Sequence, residues 1–304
     1  MGFGSFEALC LKAAIPLCSL VGPPSSITGT TGIPTQCYSR SVVLANTIIF
    51  QGAAAFAHII ALIMTTIMII HVRSKFTAVG RLHLPRTFSC SGMYDCSHHC
   101  LGRREITTFF YIYMTLTIIS LILDAGVVPP GSGAYAYFVA VQNGLASALC
   151  MCLLINGFVG FQLYEDGTNL SVWLLCLCSI AMFIVSAAVS VFTFKGLAGV
   201  GPTNTVGLFV VLYVFNGIFV LVYVIMQIFL VVNTLQDRWP LFDIGFGVFF
   251  FVIGQIILYV FGELICANAS HYLDGLFFGT VCNLLAVMMV YKVRNPTQQD
   301  TALR

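Results

Sequence analysis

The sequence predicts an all-α integral membrane protein, a bundle of seven transmembrane helices with its N-terminus in the lumen and its C-terminus in the cytoplasm. Three observations predict it. Of 304 residues, 59% are hydrophobic and only 8% charged, with a mean hydropathy of +0.97, more apolar surface than a soluble core can hide. Seven runs reach the length of about 20 residues that a helix needs to cross about 30 Å of hydrocarbon. The basic residues fall mostly on one side of the membrane once the loops are made to alternate.

Residues 1–41 read as a lumenal segment. Its apolar stretch is short and broken by Lys12 and Pro16, which argues against a cleavable signal. The membrane domain covers 42–292, with spans expected at Val42 to Ile70, Thr107 to Val128, Tyr137 to Leu163, Leu170 to Phe194, Val206 to Val232, Ile244 to Phe261 and Leu273 to Tyr291. Tyr135, Tyr164, Trp173, Trp239, Tyr272 and Tyr291 cluster at the proposed ends, where an amphipathic ring gains by lying among the headgroups. A polar cytoplasmic tail, 293–304, closes the chain. No internal repeat or low-complexity tract interrupts this order.

The thirteen basic residues divide ten to three. Arg73, Lys75, Arg81, Arg86, Arg103 and Arg104 lie in the first loop, Arg238 in the fifth, and Lys292, Arg294 and Arg304 at the end; Lys12, Arg40 and Lys195 lie opposite. The positive-inside rule places the larger group in the cytoplasm. A net charge of +2 is too small to point to nucleic acid.

Cys10, Cys18 and Cys37 precede the first span and Cys266 lies in the last lumenal loop. Four thiols on an oxidising face are candidates for one or two disulfides, with three pairings open. Cys150, Cys152, Cys176, Cys178 and Cys282 read as small packing residues within helices. Asn268-Ala-Ser270 is a candidate glycosylation triplet on the lumenal side, whereas Asn169-Leu-Ser171 falls on the cytoplasmic side. Cys90, Cys96, His98, His99 and Cys100 offer zinc-type ligands, but their spacing lacks the paired C-x-x-C of a zinc site, and no metal is expected.

Intramembrane ionisable groups, the usual mark of chemistry in a bilayer, are few. Asp124, Asp243 and Asp274 sit near helix ends, where water and the helix dipole lower their cost, and they read as interfacial caps without an acid/base pair. His58 stands alone on the first span and reads as a hydrogen-bonded packing residue in preference to a proton relay. Lys292 lies too near the membrane edge to hold a retinal Schiff base. No catalytic residue and no cofactor site emerge, so the chain is not read as an enzyme.

The spans are instead rich in neutral polar residues: Gln51, Gln142, Asn143, Asn156, Gln162, Asn216, Gln227, Asn233, Gln255 and Asn283. Small residues accompany them, as in Ala53-Ala-Ala-Phe-Ala57, Gly157-Phe-Val-Gly160 and Gly275-Leu-Phe-Phe-Gly279. Such groups bond across helices and let backbones approach. They serve either packing of the bundle or docking of a foreign helix, and Gly275, Gly279, Asn156, Gly157 and Gly160 are the candidate contact positions.

Several long segments resemble the fungal chitin synthase export chaperone family. They include Met1-Gly-Phe-Gly-Ser-Phe6, Pro16-Leu-Cys-Ser-Leu-Val-Gly22, Ala45-Asn-Thr-Ile-Ile-Phe-Gln-Gly52, the run from His71 to Arg81, Leu123-Asp-Ala-Gly-Val-Val-Pro-Pro-Gly131 and the run from Leu153 to Gly167. The resemblance continues through Pro202-Thr-Asn-Thr-Val-Gly207, Val232-Asn-Thr-Leu-Gln-Asp-Arg-Trp-Pro-Leu241 and His271-Tyr-Leu-Asp-Gly275, and extends to loops that hydropathy does not constrain. One departure is an insert near 82–103, bordered by Gly80-Arg81 and Gly102-Arg103. It reads as a lineage-specific insertion or a mispredicted gene model.

The resemblance implies a multi-pass protein of the endoplasmic reticulum membrane that binds newly made chitin synthase, itself polytopic, and permits its export for cell wall synthesis. Its partners would be chitin synthase and the lipid bilayer, with no nucleic acid. The alternatives are a seven-helix receptor and a transporter. The short third and fifth loops offer a signalling partner little surface, and a transporter would usually show a repeat.

Overall fold

Seven apolar runs, each about as long as the hydrocarbon core of a bilayer is thick or longer, satisfy their backbone polar groups internally by coiling into helices. In the structure, a computed structural model that describes residues 4–23, 32–44, 47–82, 95–159, 169–197, 199–234 and 239–293, they form spans at Gly52–Ser74, Glu105–Asp124, Tyr135–Phe158, Ser171–Lys195, Val206–Asn233, Trp239–Asn268 and Gly275–Val293.

The first expected span is corrected at its start. Val42–Leu44 and Thr47–Ile49 are strands that pair antiparallel, with Val42 opposite Ile49, and the helix begins only at Gly52. Val42, Val43, Thr47, Ile48 and Ile49 are β-branched, which favours the pleated backbone, while hydropathy registers only that they are apolar. The sixth span is longer than expected, because its helix continues past Phe261 through Gly262–Asn268.

Antiparallel neighbours pack in sequence, the first span on the second, the second on the third and the third on the fourth; the sixth lies on the seventh, the third also on the fifth, and the seventh closes back on the first. The first three spans bury 44, 39 and 39% of their residues against 17% for the fifth and sixth, so the early helices form the centre and the fifth and sixth the flank. Phe109 and Phe110 from the second span, Cys152 from the third, Leu175 from the fourth and Leu284 and Val287 from the seventh share one apolar cluster.

A second cluster lies at one end of the bundle. The N-terminal segment forms a helix, Glu7–Lys12, and a 3₁₀ turn, Pro16–Ser19. Its Phe6, Leu17 and Val21 bury against Leu123, Tyr135, Val139 and Leu208, at the ends of the second, third and fifth spans. Hydrogen bonds fix the cap: Gly22 N–H donates to the Pro202 carbonyl at 2.9 Å, Thr205 Oγ1 to the Gly4 carbonyl at 2.9 Å and Tyr135 OH to the Pro16 carbonyl at 3.1 Å. Beneath it the fifth and sixth spans carry π-helical turns at Val210–Phe215 and Ile257–Phe261, joined by a 2.9 Å hydrogen bond between the Tyr213 and Tyr259 hydroxyls.

Candidate functional site

The neutral polar side chains pair mostly with one another inside the bundle. Gln142 Nε2 donates to Ser120 Oγ at 2.9 Å, linking the third span to the second, and Asn143 Nδ2 donates to Ser190 Oγ at 3.2 Å, linking it to the fourth. Asn216 Nδ2 donates to Ser147 Oγ at 3.1 Å, which donates in turn to Ser186 Oγ at 3.0 Å, so one serine joins the third, fourth and fifth spans. Gln255 Nε2 donates to Asn283 Oδ1 at 3.4 Å between the sixth and seventh. Asn156 is buried and donates to the Cys152 carbonyl one turn back at 2.8 Å. Asn233 is exposed at the end of the fifth span, and Gln162 lies outside the described residues.

The glycines are used in the same way. A Cβ on Gly275 would lie 2.7 Å from the Gly262 Cα, and one on Gly279 would lie 3.5 Å from Leu258 Cβ, so both positions face the sixth span. A Cβ on Gly157 would meet the Tyr223 ring of the fifth span at 3.0 Å. Gly160 lies outside the described residues. What remains on the outside of the flanking helices is large and apolar, as with Leu221, Ile225, Phe229, Phe242, Phe246 and Phe249.

The titratable groups depart from the sequence-based expectation. Asp124 is not an interfacial cap but is buried, and its Oδ2 lies 2.9 Å from His58 Nε2 of the first span. An acid/base pair therefore exists where none was expected. Pairing offsets the cost of placing either group away from water. Glu105, which has no role in the sequence-based expectation, is buried at the start of the second span and accepts a 2.5 Å hydrogen bond from Ser171 Oγ of the fourth; a glutamate opening an apolar run was the available signal. Asp274 caps the seventh span, accepting the Phe277 N–H at 3.0 Å. Burial pushes its carboxyl above the ordinary aspartate value, partly offset by the Phe277 N–H and the Ser39 hydroxyl, with the Asp124 charge adding to the rise. Asp243 receives Lys292 Nζ at 2.8 Å, joining the sixth and seventh spans at their other ends.

The structure joins Cys10, Cys18, Cys37 and Cys266 into two bridges, Cys10–Cys18 and Cys37–Cys266, with Cα atoms 5.4 and 6.0 Å apart, and places Cys266 in the last helical turns of the sixth span where a loop was expected. The first closes the cap on itself and the second ties it to the end of the sixth span. Asn268, the glycosylation candidate, is exposed at the last residue of that span. Cys90 and the side chains of Cys96, His98, His99 and Cys100 lie outside the described residues.

A family model described as chitin synthase export chaperone matches residues 2–98 and 93–302, so the two matched stretches meet inside the segment 82–103. The chain is 64% identical over 293 residues to a protein of Aspergillus clavatus named chitin synthase export chaperone, covering 96% of this chain and 82% of that one. Proteins of the same name from Coccidioides immitis and Fusarium oxysporum f. sp. lycopersici are 64 and 62% identical over 292 and 291 residues, again 96% of this chain and 81 and 80% of theirs. No solved structure matches.

Proposed function

The chain belongs to the chitin synthase export chaperone family, and from that premise we propose that it binds newly made chitin synthase in the endoplasmic reticulum membrane and makes it competent for export to the cell surface. The observation that carries this reading is identity of 61–64% sustained over 96% of the chain to proteins of that name. Likeness of this extent covers loops as well as spans and so exceeds what a shared helix count would give.

The chemistry fits such a role. Chitin synthase is polytopic, and before assembly its polar and loosely packed intramembrane surfaces lack partners, which is costly in hydrocarbon. The bundle pairs several of its own amides across helices, while Gln227 Nε2 and Asn216 Oδ1 are buried without a hydrogen-bond partner among the described residues, and it presents an outer surface of apolar side chains along the fifth and sixth spans against which a client helix packs. The N-terminal cap lies on the lumenal side and the tail in the cytoplasm, as the ten-to-three division of basic residues favours. The role asks no catalysis and no cofactor of the chain. Gly275, Gly279 and Gly157 act in packing of the bundle, since a client could reach them only if neighbouring spans parted.

Capture of the client tests the binding step. Chitin synthase synthesised in microsomes containing this chain should co-purify with it in mild detergent, whereas an unrelated polytopic plasma membrane protein should not. Equal recovery of both, or of neither, contradicts the proposal.

A further inference from the structure

We propose that the Cys37–Cys266 bridge is a thiol-exchange site, with His271 as the proton donor to the departing sulfur and a small thiol or a protein dithiol as co-reactant. His271 Nδ1 lies 3.2 Å from Cys37 Sγ and 3.7 Å from Cys266 Sγ, placing the imidazole within reach of both sulfurs. The same nitrogen lies 3.3 Å from the Tyr38 carbonyl oxygen, an acceptor that favours a proton on Nδ1, the ring nitrogen near the bridge.

The backbone holds the ring there at a cost. Ser270 and His271 both have left-handed conformations, φ 53° and 66°, which non-glycine residues adopt only when the surroundings impose them. The His271 N–H donates to the Cys266 carbonyl at 3.0 Å, and its own carbonyl accepts the Arg40 N–H at 2.7 Å. The bridge residue Cys266 and Arg40, three residues beyond Cys37, thus clamp the histidine between them.

Exposure sets the direction of attack. Cys266 is fully buried, while Cys37 is 9% exposed, and His271 itself is exposed. An incoming thiolate forms a bond to Cys37 Sγ, the Sγ–Sγ bond breaks, and the electron pair leaves on Cys266 Sγ, which takes the Nδ1 proton of the His271 imidazolium and leaves a neutral imidazole. The imidazole recovers a proton from the next thiol. A second thiol then displaces Cys37, so two thiols become one disulfide and the bridge becomes two thiols. The charged residues nearest in sequence to the bridge and the histidine are Arg40, whose guanidinium lies 5.1 Å from the Tyr272 ring centroid, Asp274, three residues after His271, and Glu263, three residues before Cys266.

Cys10–Cys18 is the internal contrast. Both its cysteines are buried in the cap, 0 and 2% exposed, and its Cys18 Sγ lies 3.8 Å from the Ala13 carbonyl oxygen. Opening Cys37–Cys266 would release the covalent tie between the cap and the sixth span and leave the cap's own bridge closed.

The test uses the purified oxidised full chain in lipid nanodiscs, incubated with reduced glutathione from pH 5.5 to 8.5, with thiols trapped by alkylation and each bridge read by peptide mass spectrometry. The Cys37–Cys266 bridge should open at least about tenfold faster than Cys10–Cys18, and its rate per glutathione thiolate should fall as pH rises across this series. His271→Asn, which tolerates the left-handed backbone, should slow that opening about tenfold or more and flatten the profile, with the Cys10–Cys18 rate unchanged as the control for folding. Equal rates for the two bridges in the wild-type chain overturn the proposal without any variant; so does an unaltered profile in His271→Asn.

Discussion

His58 Nε2 and Asp124 Oδ2, 66 residues apart in the chain, lie 2.9 Å from each other and join the first span to the second. Removing one partner leaves the other buried and uncompensated, at a cost of about 3–5 kcal/mol. His58→Ala and Asp124→Ala should each lower the melting temperature and the steady-state abundance of the protein. The double variant should be less destabilised than the sum of the singles, by about 1 kcal/mol or more in a double-mutant cycle measured by thermal unfolding in detergent. Additive losses would show that the two side chains do not interact.

Gly275 and Gly279 lie one turn apart on one helix but differ in the room they leave. At Gly275 a methyl group would meet the Gly262 backbone at 2.7 Å, whereas at Gly279 the nearest atom is 3.5 Å away. Gly275→Ala should therefore cost about 1–3 kcal/mol, as overpacking does, and reduce abundance, while Gly279→Ala should be close to neutral. Fluorescence-detected size-exclusion thermal melts of the two variants would distinguish them.

Asp274 links stability to pH. Its carboxyl titrates above the ordinary value of 3.8 in the folded chain, chiefly because burial disfavours its charge. The folded state then holds this proton more tightly than the unfolded state. The contribution is present in full below about 3.8 and is lost as pH rises through the folded value. Asp274→Asn, whose side-chain oxygen still accepts the Phe277 N–H, should gain stability over wild type as pH rises from 4 to 7, read as a widening difference in melting temperature. A difference constant with pH would contradict this.

The hairpin preceding the first span should be accessible to water. Its two strands leave unpaired backbone edges, which hydrocarbon cannot satisfy, and Val43 is 70% exposed. Val43→Cys should react with a membrane-impermeant maleimide in opened lumenal vesicles at a rate well above the wild-type background. Ile63→Cys, exposed on the helix surface within the first span, should stay unlabelled. Protection of both would place the hairpin in the hydrocarbon.

The seven spans were legible because length and apolarity alone decide whether a helix crosses a bilayer, and both are local. The start of the first was not, because the run from Val42 to Ile49 is as apolar as a span and differs only in β-branching, a weaker signal. The contact between His58 and Asp124 and the pairing of Cys37 with Cys266 across 229 residues depend on how helices are arranged, which no window of sequence contains. Glu105 escaped notice for the same reason: its partner Ser171 comes from the fourth span. The glycine and amide positions were visible as packing chemistry, and it took their neighbours, Gly262, Leu258, Ser120 and Ser190, to show that the bundle itself uses them.

Dedicated export of chitin synthase is tested most directly by the location of each fluorescently tagged chitin synthase in cells with and without this gene, beside an unrelated polytopic plasma membrane protein. Retention of at least one synthase in the endoplasmic reticulum of the deletion strain, with normal exit of the control, is the predicted result. Normal traffic of every synthase, or equal retention of the control, would contradict it.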